Sequence, residues 1–361
     1  MIAPPTEDPR QAAALAGAAT SAAPNATTGA PTGSPTHASN GTGAMPRRAL
    51  GIGTVAALLT GAAPRRARAQ PGEPATILSP GPEDGGCARW AARAAQALGR
   101  GLQRPGVLRL AFLGGPDGVT AANRFATLDF SQGPSLLALP GLAVHARLTG
   151  STRARFEPRA WLPLLVSWQG AVLAGRGRLA DLAAAGPVRI AIPSADAPEA
   201  ALMAALDVLG IQVRALAAPP EAAFAAGEAD AVLVVGQDAG SRAQALGATP
   251  WFLFPGPAET EPAELPAFPV ATPLARSVQA AVASMQLRAT LVTPVLTGAD
   301  SVAAWRRAAL RWQEEERATP GEGQPLVGAP AADAFALLTP PADAMLEYRN
   351  WLDRRLGWRA G

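Results

Sequence analysis

The chain has 361 residues, room for about two domains, and its 48% apolar content is enough to fill sizeable cores. Every one of its 31 basic residues is arginine, against 28 acidic residues and a net charge of +3, and the lack of lysine excludes a Walker lysine, a Schiff-base lysine and a lysine general base. With two histidines, His37 and His145, and one cysteine, Cys87, an internal disulfide and a His/Cys metal cluster are excluded too.

Residues 1–44 are mostly Pro, Ala, Thr, Ser and Gly, a composition that cannot bury enough surface to order itself, so a disordered extension is expected. At Met45 the texture changes. Pro46, Arg47 and Arg48 precede an uncharged run over 49–63, and Ala67, Arg68 and Ala69 stand before Gln70. Charge, apolar run and Ala-x-Ala site are the three parts of an export signal over 45–69. The apolar run, about 15 residues, is short for a hydrocarbon layer of about 30 Å, which favours removal over permanent anchoring. The arginine pair fits the twin-arginine route, and Met45 is an alternative start.

The mature chain then opens with a strand at 75–78 and a loop, Ser79-Pro80-Gly81-Pro82-Glu83-Asp84-Gly85-Gly86. A helix follows, with Cys87, Trp90, Ala94, Leu98 and Leu102 on one stripe and Arg89, Arg93, Gln96 and Arg100 opposite. That stripe makes Cys87 a core thiol rather than a nucleophile. The pattern repeats at 108–125. Leu108, Leu110 and Phe112 alternate as a strand, Gly114, Gly115 and Gly118 free the backbone to curl, and Thr120 is expected to cap a helix over 121–125. In a parallel sheet both loops emerge at the carboxyl ends of their strands, where open α/β sheets bind ligands, and free N–H groups at helix starts attract anions. The G-G-x-x-G spacing is equally that of a plain tight turn. A third strand, 135–139, closes on Pro140 and Gly141 and leads into a basic connection with Arg147, Arg153, Arg155 and Arg159. His145, among Leu142, Val144 and Leu148, reads as a packed or loop residue and not as a catalytic one.

Apolar runs at 161–166 and 171–174 carry the chain into a second unit, where helix and strand signals alternate: a helix at 179–185, a strand at 188–192, then a helix expected to start on a capping box of Asp196 and Glu199. Strands at 213–216, 231–235 and 251–254, with helices at 221–226 and 241–246, complete a second α/β domain. A proline-rich passage over 255–273 reads as the return crossing, matching an outward one near 160–171. The last hundred residues read as mostly helix, one beginning at Thr272 and Pro273, one at Ser301, and one after Pro340 and Pro341. No nucleic-acid signature occurs, because the arginines are dispersed and aromatic residues make up only 5%.

This order of elements resembles the periplasmic solute-binding proteins of the tripartite tricarboxylate transporter class, often called the Bug family. The loop 79–86 stands where that family has its aromatic-proline-glycine run, and Gly114-Gly115-Pro116-Asp117-Gly118-Val119-Thr120-Ala121-Ala122-Asn123 where it has a second glycine-rich loop opening a helix. Ser131-Gln132-Gly133-Pro134-Ser135-Leu136-Leu137, Arg155-Phe156-Glu157-Pro158 with Trp161-Leu162-Pro163-Leu164, and Gly227-Glu228-Ala229-Asp230-Ala231 fall at further family positions. The resemblance covers roughly 75–358. It implies an α/β protein of the type 2 periplasmic binding fold, two α/β lobes with a ligand cleft between them: lobe 1 over 70–165 plus 270–361, lobe 2 over 166–269. It further implies an exported, periplasmic, monomeric protein without cofactor or catalysis, which captures a small carboxylate or amino-acid-like solute for the membrane components of a tripartite transporter. Ligand contacts carry over to Pro80, Gly81, Asp84, Gly85, Gly114, Gly115, Asp117, Gly118 and Ser194. Asp84 and Asp117 stand open between two roles: an acidic first-loop residue tends in the family to select amine-bearing ligands, yet Asp is also a common turn residue. Two other classes of function remain: an enzyme using the 114–118 loop to hold an anionic group, and a secreted partner-binding protein without a small ligand.

Overall fold

The computed structural model describes residues 75–102, 108–128, 134–254, 256–257, 265–318 and 323–360, all within one unit of the chain, Pro64–Gly361. The expected extension over 1–44 and export signal over 45–69 lie outside the described residues.

Three strand–loop–helix units open the fold: β1 (Thr76–Ser79) to α1 (Gly86–Gly101), β2 (Arg109–Phe112) to α2 (Val119–Ala126), and β3 (Ser135–Leu139) to α3 (Gly141–Leu148). The three strands run parallel, with β1 in the middle, so their loops leave the sheet side by side at the carboxyl ends. β4 (Trp161–Trp168), β10 (Leu287–Pro294) and β11 (Gln324–Val327) add antiparallel to give the order β11-β4-β10-β3-β1-β2. On one face α1 packs against α9 (Ala299–Arg317), where Trp90 and Trp312 meet edge to face at 5.9 Å. On the other, Trp161 stacks on Phe156 and meets Phe125 of α2 edge to face, in an apolar cluster shared with α3 and α10 (Gly328–Leu337). Burial of such aromatic clusters dominates the apolar stabilisation of a sheet face.

β5 (Gly170–Gly175) leaves this sheet for a second one. It joins α4 (Leu179–Ala185), β6 (Val188–Ile192), α5 (Ala200–Val208), β7 (Val213–Ala217), α6 (Pro220–Ala225), β8 (Ala231–Gly236), α7 (Ala239–Ala245) and β9 (Thr249–Leu253) in a five-stranded sheet of order β7-β6-β8-β5-β9. The chain returns through α8 (Pro273–Gln286), whose start is capped as the sequence predicts: the Thr272 hydroxyl accepts from Ala275 N–H at 3.1 Å. α8 packs on α3, α5 and the closing helix α11 (Ala342–Leu356), and all of these share one apolar cluster with the second sheet. Asp207 of α5 ties α11 down by accepting from Trp351 Nε1 and Arg355 Nε, both at 2.8 Å.

Local expectations fail in four places. α2 begins at Val119, not after Thr120, because Asp117 Oδ1 accepts the Val119 N–H at 3.2 Å and Gly118, at φ 75°, makes the left-handed turn. The capping box of Asp196 and Glu199 does not form. Asp196 Oδ1 instead accepts from the Ser194 hydroxyl at 2.7 Å, and α5 starts later, at Ala200. The stretch 141–148, expected to be turn and connection, is α3. The carboxyl-terminal region contains β10 and β11, which the helical reading passed over; no Gly or Pro separates Gln286 from Leu287, so helix gives way to strand without a break in the sequence.

Candidate functional site

At the carboxyl ends of β1, β2 and β3 lies a cleft of about 360 Å³. Pro80, Gly81 and Gly85 line it from the first loop, Pro116 from the second, and Pro140, Gly141 and Leu142 from the start of α3. The second sheet contributes Pro198 and Glu199, just ahead of α5. Ser284, Met285, Leu287 and Arg288, where α8 passes into β10, complete the wall. A cleft of this size holds a small organic molecule.

Two helices begin at this cleft. In α1, Gly86, Cys87 and Ala88 line it, and the N-cap, Gly85, has no side chain with which to satisfy the first-turn N–H groups. In α3 the N-cap is Pro140, which also provides no side-chain acceptor. First-turn N–H groups left without intrahelical partners, together with the positive end of the helix dipole, favour an anion. Arg288 adds a guanidinium to the same wall, suited to a carboxylate by charge and by its planar array of donors. The Cys87 thiol is pushed up to about 12, because burial disfavours the thiolate more than the nearby Arg288 charge favours it. It therefore stays protonated at neutral pH and is no nucleophile.

The remaining sequence-derived positions lie around the cleft and not in its lining. Gly114 braces the first loop, since its carbonyl accepts the Gly81 N–H at 3.2 Å. Gly115 and Asp84 are exposed; the Asp84 carbonyl accepts from the Arg89 guanidinium. Asp117 is engaged twice, by Val119 N–H and by Arg153 Nη2 at 2.8 Å, so the start of α2 already has its acceptor, and an anionic group held there would displace a carboxylate. Gly118 lies against Pro140 and Pro80, where it supports both wall segments. Ser194 is occupied with Asp196, in the loop that leads to Glu199.

His145 is buried, as the sequence suggests. Its Nε2 donates to the Asp196 carbonyl at 3.0 Å, fastening α3 to that same loop of the second sheet. Burial lowers its pKa to about 4, so at neutral pH it is an uncharged strut behind the cleft. Arg288, Glu199 and the start of α3 are among the cleft-lining positions that the sequence reading missed. Arg288 and Glu199 come from chain segments far from the glycine-rich loops. For α3, the Pro140-Gly141 pair that looks like a turn is also compatible with a helix start.

The same arrangement of elements is found in a solved structure of a TctC solute-binding protein from Polaromonas, without ligand: 13% sequence identity, 78% of this chain and 98% of that chain covered, TM-score 0.57. The fold is that of a periplasmic solute-binding protein. It divides the molecule into two α/β lobes, one built on each sheet, with the cleft formed by residues from both. MatC from Rhodopseudomonas palustris with bound malate matches with 17% identity over 78% of this chain and 98% of that one, at a TM-score of 0.43. The periplasmic binding protein BugD matches with 13% identity over 79% of this chain and 97% of that one, at a TM-score of 0.42. No family model matches the sequence, and a search among curated proteins finds no match.

Proposed function

We propose that this chain is the extracytoplasmic solute receptor of a tripartite tricarboxylate-type transporter, binding a small carboxylate-bearing solute in the cleft between its lobes and delivering it to the membrane components. The observation that carries the reading is the convergence of the α1 and α3 starts with Arg288 on one apolar-walled cleft. Backbone donors and a guanidinium hold a carboxylate without lysine or charged histidine, neither of which is on offer here. Of the positions inferred from sequence, Pro80, Gly81 and Gly85 are assigned direct contact. Asp84, Gly114, Gly115, Asp117, Gly118 and Ser194 are assigned the support of loops that make contact.

A thermal-shift screen of mono-, di- and tricarboxylates and amino acids against the mature protein tests this, because a solute at a hundred times its dissociation constant stabilises the fold by about 2.7 kcal/mol. Gly86→Leu is the matching variant. A Cβ at position 86 meets nothing within 4 Å, so the fold accepts it, but the added side chain stands at the mouth of α1 inside the cleft. Binding should weaken at least about tenfold, or ~1.4 kcal/mol, while the unliganded melting temperature holds. A screen with no shift, or a Gly86→Leu protein that binds like the parent, would remove the carboxylate reading.

The same proposal places the mature protein in the periplasm, with 45–69 removed during export. Amino-terminal sequencing of periplasmic protein should begin at or near Gln70. Recovery of the intact amino terminus from the cytoplasm would overturn this localisation.

A further inference from the structure

The hydrogen-bonding capacity of the cleft wall narrows the solute class beyond "carboxylate", and the narrowing rests on the carboxylate reading above. Among the described residues that line the cleft, Pro80, Pro116, Pro140 and Pro198 have no N–H to offer. In the first loop the N–H groups of Gly81 and Gly85 are already bonded to the carbonyls of Gly114 and Pro82. The wall carbonyls are engaged in the same way. Those of Gly85, Pro140, Pro198 and Glu199 accept from the N–H groups of Arg89, Ala143, Ala201 and Leu202 at 2.9 to 3.2 Å.

The polar side chains add little to this. The Ser284 hydroxyl donates to the Ala281 carbonyl at 2.6 Å, Arg288 already has an interaction of its own, and Cys87 is a weakly bonding thiol. Glu199 is partly exposed, so a hydroxyl that reached its carboxylate would only replace water there. Apolar surface, by contrast, is on offer. Leu142, in the first turn of α3, keeps 48% of its surface exposed, and Met285 beside the buried Leu287 is partly exposed as well. Such surface is stabilised when an apolar part of a ligand covers it.

Beyond the α1 and α3 starts, then, the wall has apolar area to cover and little with which to pair a further polar group. A hydroxyl on the body of the solute would give up its bonds to water on entry without replacement. We propose that the cleft selects carboxylates with hydrocarbon bodies over hydroxylated ones, such as hydroxy acids and sugar acids, and that Leu142 is the side chain that sets this preference.

The test is calorimetric titration of the mature protein with two pairs of four-carbon acids, butyrate with 3-hydroxybutyrate and succinate with malate, each pair differing by one hydroxyl at constant charge. Each hydroxylated acid should bind at least about tenfold weaker than its partner, the scale on which an apolar pocket rejects an added hydroxyl. Leu142→Gln, which puts an amide of similar size in the wall, should narrow that ratio to within about threefold and weaken butyrate. The exposure of Leu142 lets the fold accept the change, which a melting curve verifies. Malate as tight as succinate, 3-hydroxybutyrate as tight as butyrate, or an unchanged ratio in Leu142→Gln would overturn the proposal and leave the carboxylate reading standing. If none of the four binds, the solute found by the wider carboxylate screen decides: a hydroxylated or amine-bearing body overturns the proposal, and a hydrocarbon body upholds it. If that screen is silent too, both readings fall together.

Discussion

Gly141→Ala should be among the most damaging single-atom additions to this protein, lowering its stability by at least about 3 kcal/mol. A Cβ at position 141 would lie 1.7 Å from the Ser284 carbonyl oxygen, 2.7 Å from the Ser284 carbonyl carbon and 2.9 Å from the Leu287 carbonyl oxygen. All three atoms are backbone, fixed by the end of α8 and the start of β10, so relief requires moving one helix start away from another element rather than rotating a side chain. The loss is large against the 5–15 kcal/mol by which folded domains are usually stable. The displaced segment is also a wall of the cleft, so whatever folds should bind solute poorly. Gly240→Ala, in α7, is the control: its Cβ would meet nothing within 4 Å, and alanine in a helix is neutral or gains up to about 1 kcal/mol. Urea unfolding of both variants decides the matter. A Gly141→Ala protein as stable as the parent would mean that α3 does not approach the α8–β10 junction this closely.

Acid should destabilise the protein through His145 before its carboxylates matter. In the unfolded chain the imidazole takes up a proton near pH 6.5, whereas in the folded protein burial delays this to about pH 4. Below pH 6.5 the unfolded state therefore binds more protons than the folded one. Stability is full above that pH, declines as pH falls from 6.5 to 4, and flattens below, for a total near 3 kcal/mol. The lowered carboxyl groups of Asp230 and Glu315, held down first of all by hydrogen bonds from Arg189 and Arg100, begin to lose their contribution only near their unfolded values of 3.8 and 4.5, so the His145 loss is separable above pH 4.5. Urea unfolding should show a loss of about 2.5 kcal/mol between pH 7 and 4.5, and His145→Gln should remove most of that slope. Equal slopes in parent and variant would show that His145 titrates normally and is not sealed between α3 and the Asp196 loop.

Much of the fold was legible because its periodicities are clean. The strand–glycine loop–helix units at 76–101 and 109–126 announce themselves by alternation, then glycine, then a four-residue stripe, and Thr272-Pro273 is a sufficient helix start on its own. β10 was not legible. It is a central strand of the first sheet, yet it follows α8 directly, and its Thr290, Val292 and Thr293 are the only local sign that the period has changed from helix to strand. Asp196 and Glu199 have the spacing of a capping box, but Ser194 claims Asp196 first, a competition between two local hydrogen bonds that spacing cannot rank. The site was half visible for a related reason. Glycine-rich loops mark where a backbone can approach a ligand, whereas Arg288 and Glu199 reach the cleft only through the return of α8 and the packing of α5 against it.

At one point the two passages of the chain between the sheets are tied to each other. Gln169, between β4 and β5, donates its N–H to the carbonyl of Gln286, the last residue of α8 and the one before β10, at 2.8 Å, so two passages between the sheets run side by side and are bonded to each other. Like a door hung on two pins, such a pair resists twisting and shearing and leaves swinging about their common line as the softest motion. The Gly86 end of α1 and Glu199 line the cleft from the two different sheets. If the chain works as the proposed solute receptor, substitutions near Gln169 should alter how readily the cleft shuts without touching the residues that line it, which would separate the tuning of capture kinetics from the tuning of specificity along the chain.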